Sequence, residues 1–179
     1  MSDFERFHVI TGGPGSGKST LIEALGRRGF AHSIEAGRAI IQDQIAIDGP
    51  ARPGRDPLAF AELMLSWELR SYRAAEAASG PVFFDRGVPD MVGYFGLLGR
   101  PAHVTRAAGR FRYNQRVFLA PPWPAIFTQD AERKQTPEEA ERTYEAMVAA
   151  YSSCGYDLVV LPLASVDERV RFVLANIGA

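Results

Sequence analysis

Apolar residues along this chain fall into two rhythms. Short continuous runs at Phe7–Thr11, Val82–Asp85, Val117–Ala120 and Gly155–Pro162 are closed off by Gly, Pro or charged residues. Runs of that length predict strands buried on both faces, as in a parallel sheet. A fifth, weaker run, Ala31-His32-Ser33-Ile34-Glu35, reads as a second short strand after the first helix. Between these lie segments with helical spacing: Ser19–Leu25, Ala36–Ile47 with Ile40, Ile41 and Ile45, and Leu58–Ala78 with Phe60, Met64 and Trp67 on one stripe. Further helices are predicted from Gly87 to Leu98, from Thr105 to Arg112, from Thr136 to Tyr151, and over Ser165–Asn176, where Val166, Val170, Val173 and Leu174 share a face. Local punctuation agrees, with Asp56-Pro57 opening the third helix and Thr136-Pro137-Glu138-Glu139 opening the sixth with a cap, a first-turn proline and a returning glutamate. Strands alternating with helices predict an α/β fold, a five-stranded parallel sheet with helices on both faces.

Composition changes that picture little. Hydrophobic residues make up 46% and charged residues 23% of 179 residues, and the formal net charge is −1. A chain of this size buries about two-thirds of its unfolded surface without help from disulfides or metals. One domain over residues 1–179 is expected. The near-zero charge and the dispersed arginines argue against a nucleic-acid surface. Cys154 excludes an internal disulfide framework, and the three histidines, at positions 8, 32 and 103, lack zinc-ligand spacing with it. The first residues lack a signal-peptide layout and no apolar run reaches membrane-spanning length, so a cytoplasmic protein is expected, as monomer or homodimer. Residues 48–57, with three prolines and two glycines, predict a mobile loop.

Chemistry enters at Gly12-Gly13-Pro14-Gly15-Ser16-Gly17-Lys18-Ser19-Thr20, which fits the phosphate-binding pattern G-x-x-x-x-G-K-[ST] completely. It lies between a predicted strand and a predicted helix, the order such a loop requires. Glycines let backbone N–H groups curl round a triphosphate, Lys18 supplies charge for its β- and γ-phosphates, and the Ser19 hydroxyl can ligate Mg²⁺. Asp85 closes a buried strand and is followed by Arg86. An acid at that strand tip can hold Mg²⁺ or accept a proton from a substrate hydroxyl. An arginine after it, rather than the glutamate that prepares water in hydrolytic ATPases, suits an anionic or hydroxylated acceptor. Glu35, at the end of the predicted second strand, falls at the same edge of the sheet, with Arg38 one helical step on. Phe60, Met64 and Trp67 offer either a core stripe or an apolar wall for a planar substrate, and Trp123 is either a packing residue or a stacking platform. The polar stretch within about 123–137 predicts a lid, with Arg133 first and Lys134 second as cations able to cover a transferring phosphoryl group.

With these residues placed, the chain resembles the P-loop kinases of the nucleoside and nucleotide kinase group. It is similar above all to small predicted AAA-type ATPases related to ribosylnicotinamide kinase. The likeness runs through residues 11–25, 35–41, 84–90, 112–132 and 155–173, almost the whole chain. It implies a three-layer P-loop NTPase fold with strand order 2-3-1-4-5, a requirement for ATP and Mg²⁺, and a closing lid. It also implies that Glu35 meets the acceptor or its reactive hydroxyl, and that Asp85 and Arg86 form the acidic strand tip. The chain departs from AAA ATPases in having Asp-Arg where they have Asp-Glu, and it lacks the base-reading motif of GTPases. Its lid is poorer in arginines than those of thymidylate and adenylate kinases. The expected activity is ATP-dependent phosphoryl transfer to a hydroxyl of a small, nucleoside-like acceptor. Lys18, Asp85, Arg86, Arg133 and Glu35 would be catalytic; Glu35, Arg38, Trp67 and Arg86 would contact the acceptor; Ser19 and Asp85 would hold the metal. The alternative is a nucleotide-binding switch or slow ATPase acting through a protein partner.

Overall fold

The computed structural model describes residues 3–99, 102–127 and 136–178. Five parallel strands form one sheet: β1 (Phe7–Gly12), β2 (Ala31–His32), β3 (Val82–Asp85), β4 (Arg116–Ala120) and β5 (Asp157–Val160), in the order β2-β3-β1-β4-β5. Order and direction are those the resemblance implies. The helices are α1 (Lys18–Arg27), α2 (Ala36–Ala46), α3 (Pro57–Ala75), α4 (Val88–Gly96), α5 (Ala102–Arg110), α6 (Pro137–Ser153) and α7 (Val166–Ile177).

β1 is buried at every position because it is central, paired with β3 from Phe7↔Val82 to Ile10↔Asp85 and with β4 from Ile10↔Phe118 to Gly12↔Ala120. Its side chains alternate between two cores. Phe7 and Val9 join Val82, Phe84 and Val117 beneath α3, α4 and α6, where Phe7, Tyr72, Phe84 and Tyr113 stack edge to face. Ile10 joins Phe83, Phe118 and Ala120 beneath α1 and α7. Two apolar layers thus hold the central strands from opposite sides, and the register sets the carboxyl ends of β1, β3 and β4 side by side.

Four expectations change. β5, at the other edge of the sheet, is not buried on both faces: Asp157 and Val160 are exposed and Leu158 and Val159 only partly covered. β2 spans only Ala31–His32, both exposed, so Glu35 is not a strand residue; it is the residue that precedes α2, in extended backbone. After Ser33 N donates to the Phe83 carbonyl at 2.9 Å, the Ser33 hydroxyl in place of a backbone carbonyl accepts the Asp85 N–H, and the ladder with β3 ends there. Ile45 lies 54% exposed despite its helical spacing, since α2 packs on the core mainly through Ala36 and Ile40. The loop at 48–57 is tied down: Arg55 donates to Asp48 Oδ1 at 2.8 Å, Ala51 N donates to Gln44 Oε1 at 3.0 Å, and Ala51 is buried. The caps behave as expected, with Asp56 accepting from Ala59 N and Thr136 forming a capping box with Glu139. Among the described residues no helix is long and apolar enough to cross a membrane.

His8 is the titratable residue of β1. Burial lowers its imidazole from the ordinary 6.5 to about 4, and its Nδ1 has no partner among the described residues. The unfolded chain therefore binds this proton more readily than the folded one. His8 contributes fully above pH 6.5 and costs the fold progressively as pH falls toward 4. We predict a loss of about 3 kcal/mol of stability from this group across that window. Denaturant titrations of the wild type and His8→Leu should show a shallower decline with acid in the variant; parallel declines would contradict the assignment.

Candidate active site

The glycine loop leaves β1 through Gly12, whose φ of +136° and approach to β4 both demand glycine: a Cβ there would lie 2.2 Å from the Ala120 carbonyl oxygen. Gly17, at φ +76°, turns the chain into α1, which begins at Lys18 and has no acidic residue in its first turn. The positive end of the helix is thus left available for an anion. Lys18 is buried, with Nζ donating to the Gly13 carbonyl at 2.6 Å and to Ser16 Oγ at 3.2 Å. The Phe127 ring closes over Gly15, which brings the 3-10 turn at Pro124–Ile126 against the loop from the β4 side.

β3 brings Asp85 to this cradle. Ser19 Oγ donates to Asp85 Oδ2 at 2.9 Å, and the Asp85 N–H donates to Ser33 Oγ at 3.0 Å. The other carboxylate oxygen, Oδ1, is buried without a partner among the described residues. Burial raises the Asp85 carboxyl above its ordinary range; Lys18 opposes this, Glu35 adds to it, and Arg86 and the Ser19 hydroxyl oppose it again. A hard cation bound by one carboxylate, one hydroxyl and substrate phosphates is the usual setting of Mg²⁺. The unpartnered Oδ1 beside Ser19 fits that ion, and Ser19 and Asp85 are the residues that could hold it.

Arg86 follows in the left-handed region at φ 74°, an uncommon conformation for a non-glycine residue. Its N–H extends the sheet by donating to the Ile10 carbonyl at 3.1 Å, and Nη1 pairs with Asp90 Oδ1 at 3.2 Å. Burial alone would lower the Arg86 guanidinium; Asp90, Glu35 and Asp85 outweigh it and hold the cation firmly charged. Asp90, 1% exposed, also accepts from Thr11 Oγ1 at 2.5 Å, from Gly87 N at 2.8 Å and from Tyr151 Oη at 2.5 Å. One carboxylate therefore joins β1, the turn after β3, α4 and α6. Glu68 reaches the same cluster from α3. Burial, then Asp90 and Asp85, push its carboxyl well above the ordinary range and so favour its neutral form.

The structure brings Lys18, Ser19, Asp85 and Arg86 together, with Glu35 close enough that its charge bears on Asp85, Arg86 and Glu68. Glu35 and Arg38 are half-buried at the start of α2. Trp67 lines a groove of about 740 Å³ on the outer side of β2 and β3, with Ser33, Ile34 and Arg70. Trp123 lies half-buried under the Arg169 guanidinium, 5.3 Å from ring centre to carbon. Arg133 and Lys134 lie outside the described residues, as does most of the expected lid.

Sequence reasoning missed Glu68, Arg169 and the reach of Asp90. A signal existed for two of them. Glu68 continues the i, i+4 series Phe60, Met64, Glu68, Tyr72, and Arg169 falls on the Val166, Val170, Val173 face of α7, so both interrupt buried stripes.

Strand order, glycine loop and acidic strand tip together define a P-loop NTPase fold. A family model described as an AAA domain matches residues 7–169, and the chain belongs to that family. Within it, this chain carries Asp85 followed by Arg86. No curated protein matches it in sequence. Among solved structures it is similar to NadR protein in complex with NR, with TM-score 0.73 and 17% identity, over 98% of this chain and 52% of that one. The chain thus spans about half the length of NadR. It is also similar to deoxyadenosine kinase from M. mycoides with products dCMP and dCDP, with TM-score 0.62 and 15% identity, over 96% of this chain and 98% of that one. A thymidylate kinase from Ehrlichia chaffeensis matches with TM-score 0.63 and 12% identity, over 96% and 97% of the two chains.

The geometry around Asp90 makes a stability prediction. Asp90→Ala strands a buried guanidinium and three other donors, and should cost about 3–5 kcal/mol, as removal of one partner of a buried ion pair does. Chemical denaturation measures it. A loss below about 1 kcal/mol would mean that water replaces the carboxylate at no cost.

Proposed function

We propose that this chain is an ATP-dependent phosphotransferase that moves the γ-phosphoryl group to a hydroxyl of a small, nucleoside-like acceptor. The observation that carries the reading is the pairing of Ser19 with an Asp85 whose other oxygen is buried without a partner among the described residues, next to Lys18 and followed by a charged, anchored Arg86. Similarity to structures of nucleoside and nucleotide kinases supports it at the level of fold.

In this reading the loop amides and Lys18 would hold the triphosphate, and Ser19 and Asp85 would hold Mg²⁺, which when bound would offset charge on the phosphate oxygens. Asp85 is committed to Ser19 and the metal, so the proton falls to Glu35. The acceptor oxygen forms a bond to the γ-phosphorus, the bond from that phosphorus to the ADP oxygen breaks, and the hydroxyl proton passes to the Glu35 carboxylate. Arg86 and Arg38 would grip the acceptor, Trp67 lines the groove along β2 and β3, and Arg133, outside the described residues, is the cation expected to cover the transferring group. Catalysis of this kind consists of positioning and fixed charge, which a buried ion-pair network supplies without reorganisation. One domain carries both halves of the site.

The test is acceptor-dependent release of ADP across a panel of nucleosides, sugars and cofactor precursors, with the product identified by mass spectrometry. The reading predicts a phosphorylated acceptor. With that acceptor, Glu35→Gln should lower kcat by about 10²–10⁴-fold while leaving the KM for ATP near the wild-type value. Tight ATP binding with no acceptor accepted would favour the switch reading, and an unaffected Glu35→Gln protein would remove the base from Glu35.

A further inference from the structure

α7 places one cation against the outside of the glycine loop. Arg169 is 2% exposed and its Nη1 donates to the Ser16 carbonyl at 2.9 Å, a contact spanning most of the chain. Nε and Nη2 are buried with no partner among the described residues. Burial lowers its guanidinium, and no described carboxylate offsets that effect. On its other side the guanidinium lies over the Trp123 ring. The fit to the loop is close: a Cβ on Gly17, a glycine already demanded by its φ of +76°, would lie 2.8 Å from Nη1.

A buried cation without a counter-ion is costly, and a protein interior retains one where something else balances its charge. We propose that Arg169 is a positioning residue for the phosphate site: it aims the Ser16–Gly17 peptide so that the Gly17 N–H faces the bound phosphates. The described peptides are trans, and in a trans peptide the carbonyl and N–H of one unit point in opposite directions. Fixing the Ser16 carbonyl outward on Arg169 turns the Gly17 N–H inward. Donation to that carbonyl also polarises the peptide and strengthens its N–H as a donor, as in any hydrogen-bonded chain. The polyphosphate on the inner side supplies a negative charge that no described residue gives Arg169, reached across one peptide. Arg169 touches no phosphate; it acts through the loop. This inference rests on the nucleotide-binding reading above and adds a residue that reading does not use.

The experiment compares wild type, Arg169→Lys, Arg169→Gln and Arg169→Met by calorimetric titration with Mg²⁺-ATP and with inorganic tripolyphosphate. Tripolyphosphate has no base, so it isolates the phosphate site. Arg169→Met should weaken both ligands about tenfold, the size expected for one charge-assisted donor. Arg169→Lys, which keeps charge and a donor, should restore both to within about threefold of wild type. Arg169→Gln keeps a donor for Ser16 and loses the charge, and is expected between the two; it carries the test if the Met variant does not fold. Weakening confined to ATP would mean that Arg169 serves the base, and equal affinities for both ligands in the Met and Gln variants would mean that it serves neither; either result overturns the proposal. A wild type that binds neither ligand overturns the nucleotide reading itself, and this inference with it.

Discussion

Four donors converge on the buried carboxylate of Asp90, and the rest of the site depends on that convergence. Thr11 comes from the central strand, Arg86 and Gly87 from the turn after β3, and Tyr151 from α6. A carboxylate with two oxygens and four donors is fully satisfied, so its burial is tolerated and its position is fixed. The consequence for Arg86 is direct. Its backbone stands at φ 74°, a conformation worth explaining in a residue with a side chain, and the pair with Asp90 together with the N–H bond to Ile10 holds it there. The same turn decides where Asp85 ends up, one residue earlier, beside Ser19. The acidic tip and the phosphate loop are therefore set relative to each other by a network lying behind both.

The buried cluster also distributes charge unevenly. Glu68 and Asp85 are pushed toward their neutral forms by burial and by neighbouring acids, while Arg86 is held cationic by those acids. A site built this way keeps fixed positive charge at the strand tip and on Lys18, where the proposed phosphoryl transfer would concentrate negative charge. It keeps spare acidity one layer deeper.

Much of this was legible in the sequence because the signals were local. The loop from Gly12 to Thr20 is a contiguous motif, Val82–Asp85 is a contiguous run, and Thr136-Pro137 and Asp56-Pro57 are contiguous caps; each appears in the fold as read. Glu35 shows where local reading falters. Its charge bears on Asp85 and Arg86, yet the strand expected to deliver it stops at His32, where the Ser33 hydroxyl takes over the Asp85 N–H. Asp90 and Glu68 show the other limit. Glu68 is visible as an interruption of an apolar stripe, whereas nothing local marks Asp90, two of whose four donors come from 79 and 61 residues away. Arg169 is the extreme case, reaching Ser16 across 153 residues. Ile45 errs in the opposite direction: its spacing is helical, but the sheet offers that part of α2 nothing to pack on.

The central claim is that Gly12–Thr20 and Asp85 form one cradle for a metal-bound triphosphate. The most direct measurement is the equilibrium affinity for ATP with and without Mg²⁺, in the wild type and in Asp85→Asn. The account predicts that Mg²⁺ tightens ATP binding to the wild type by about tenfold or more, and that Asp85→Asn removes most of that gain while metal-free binding stays close to wild type. Equal ATP affinity with and without Mg²⁺ in the wild type, or a metal gain untouched by Asp85→Asn, would contradict it.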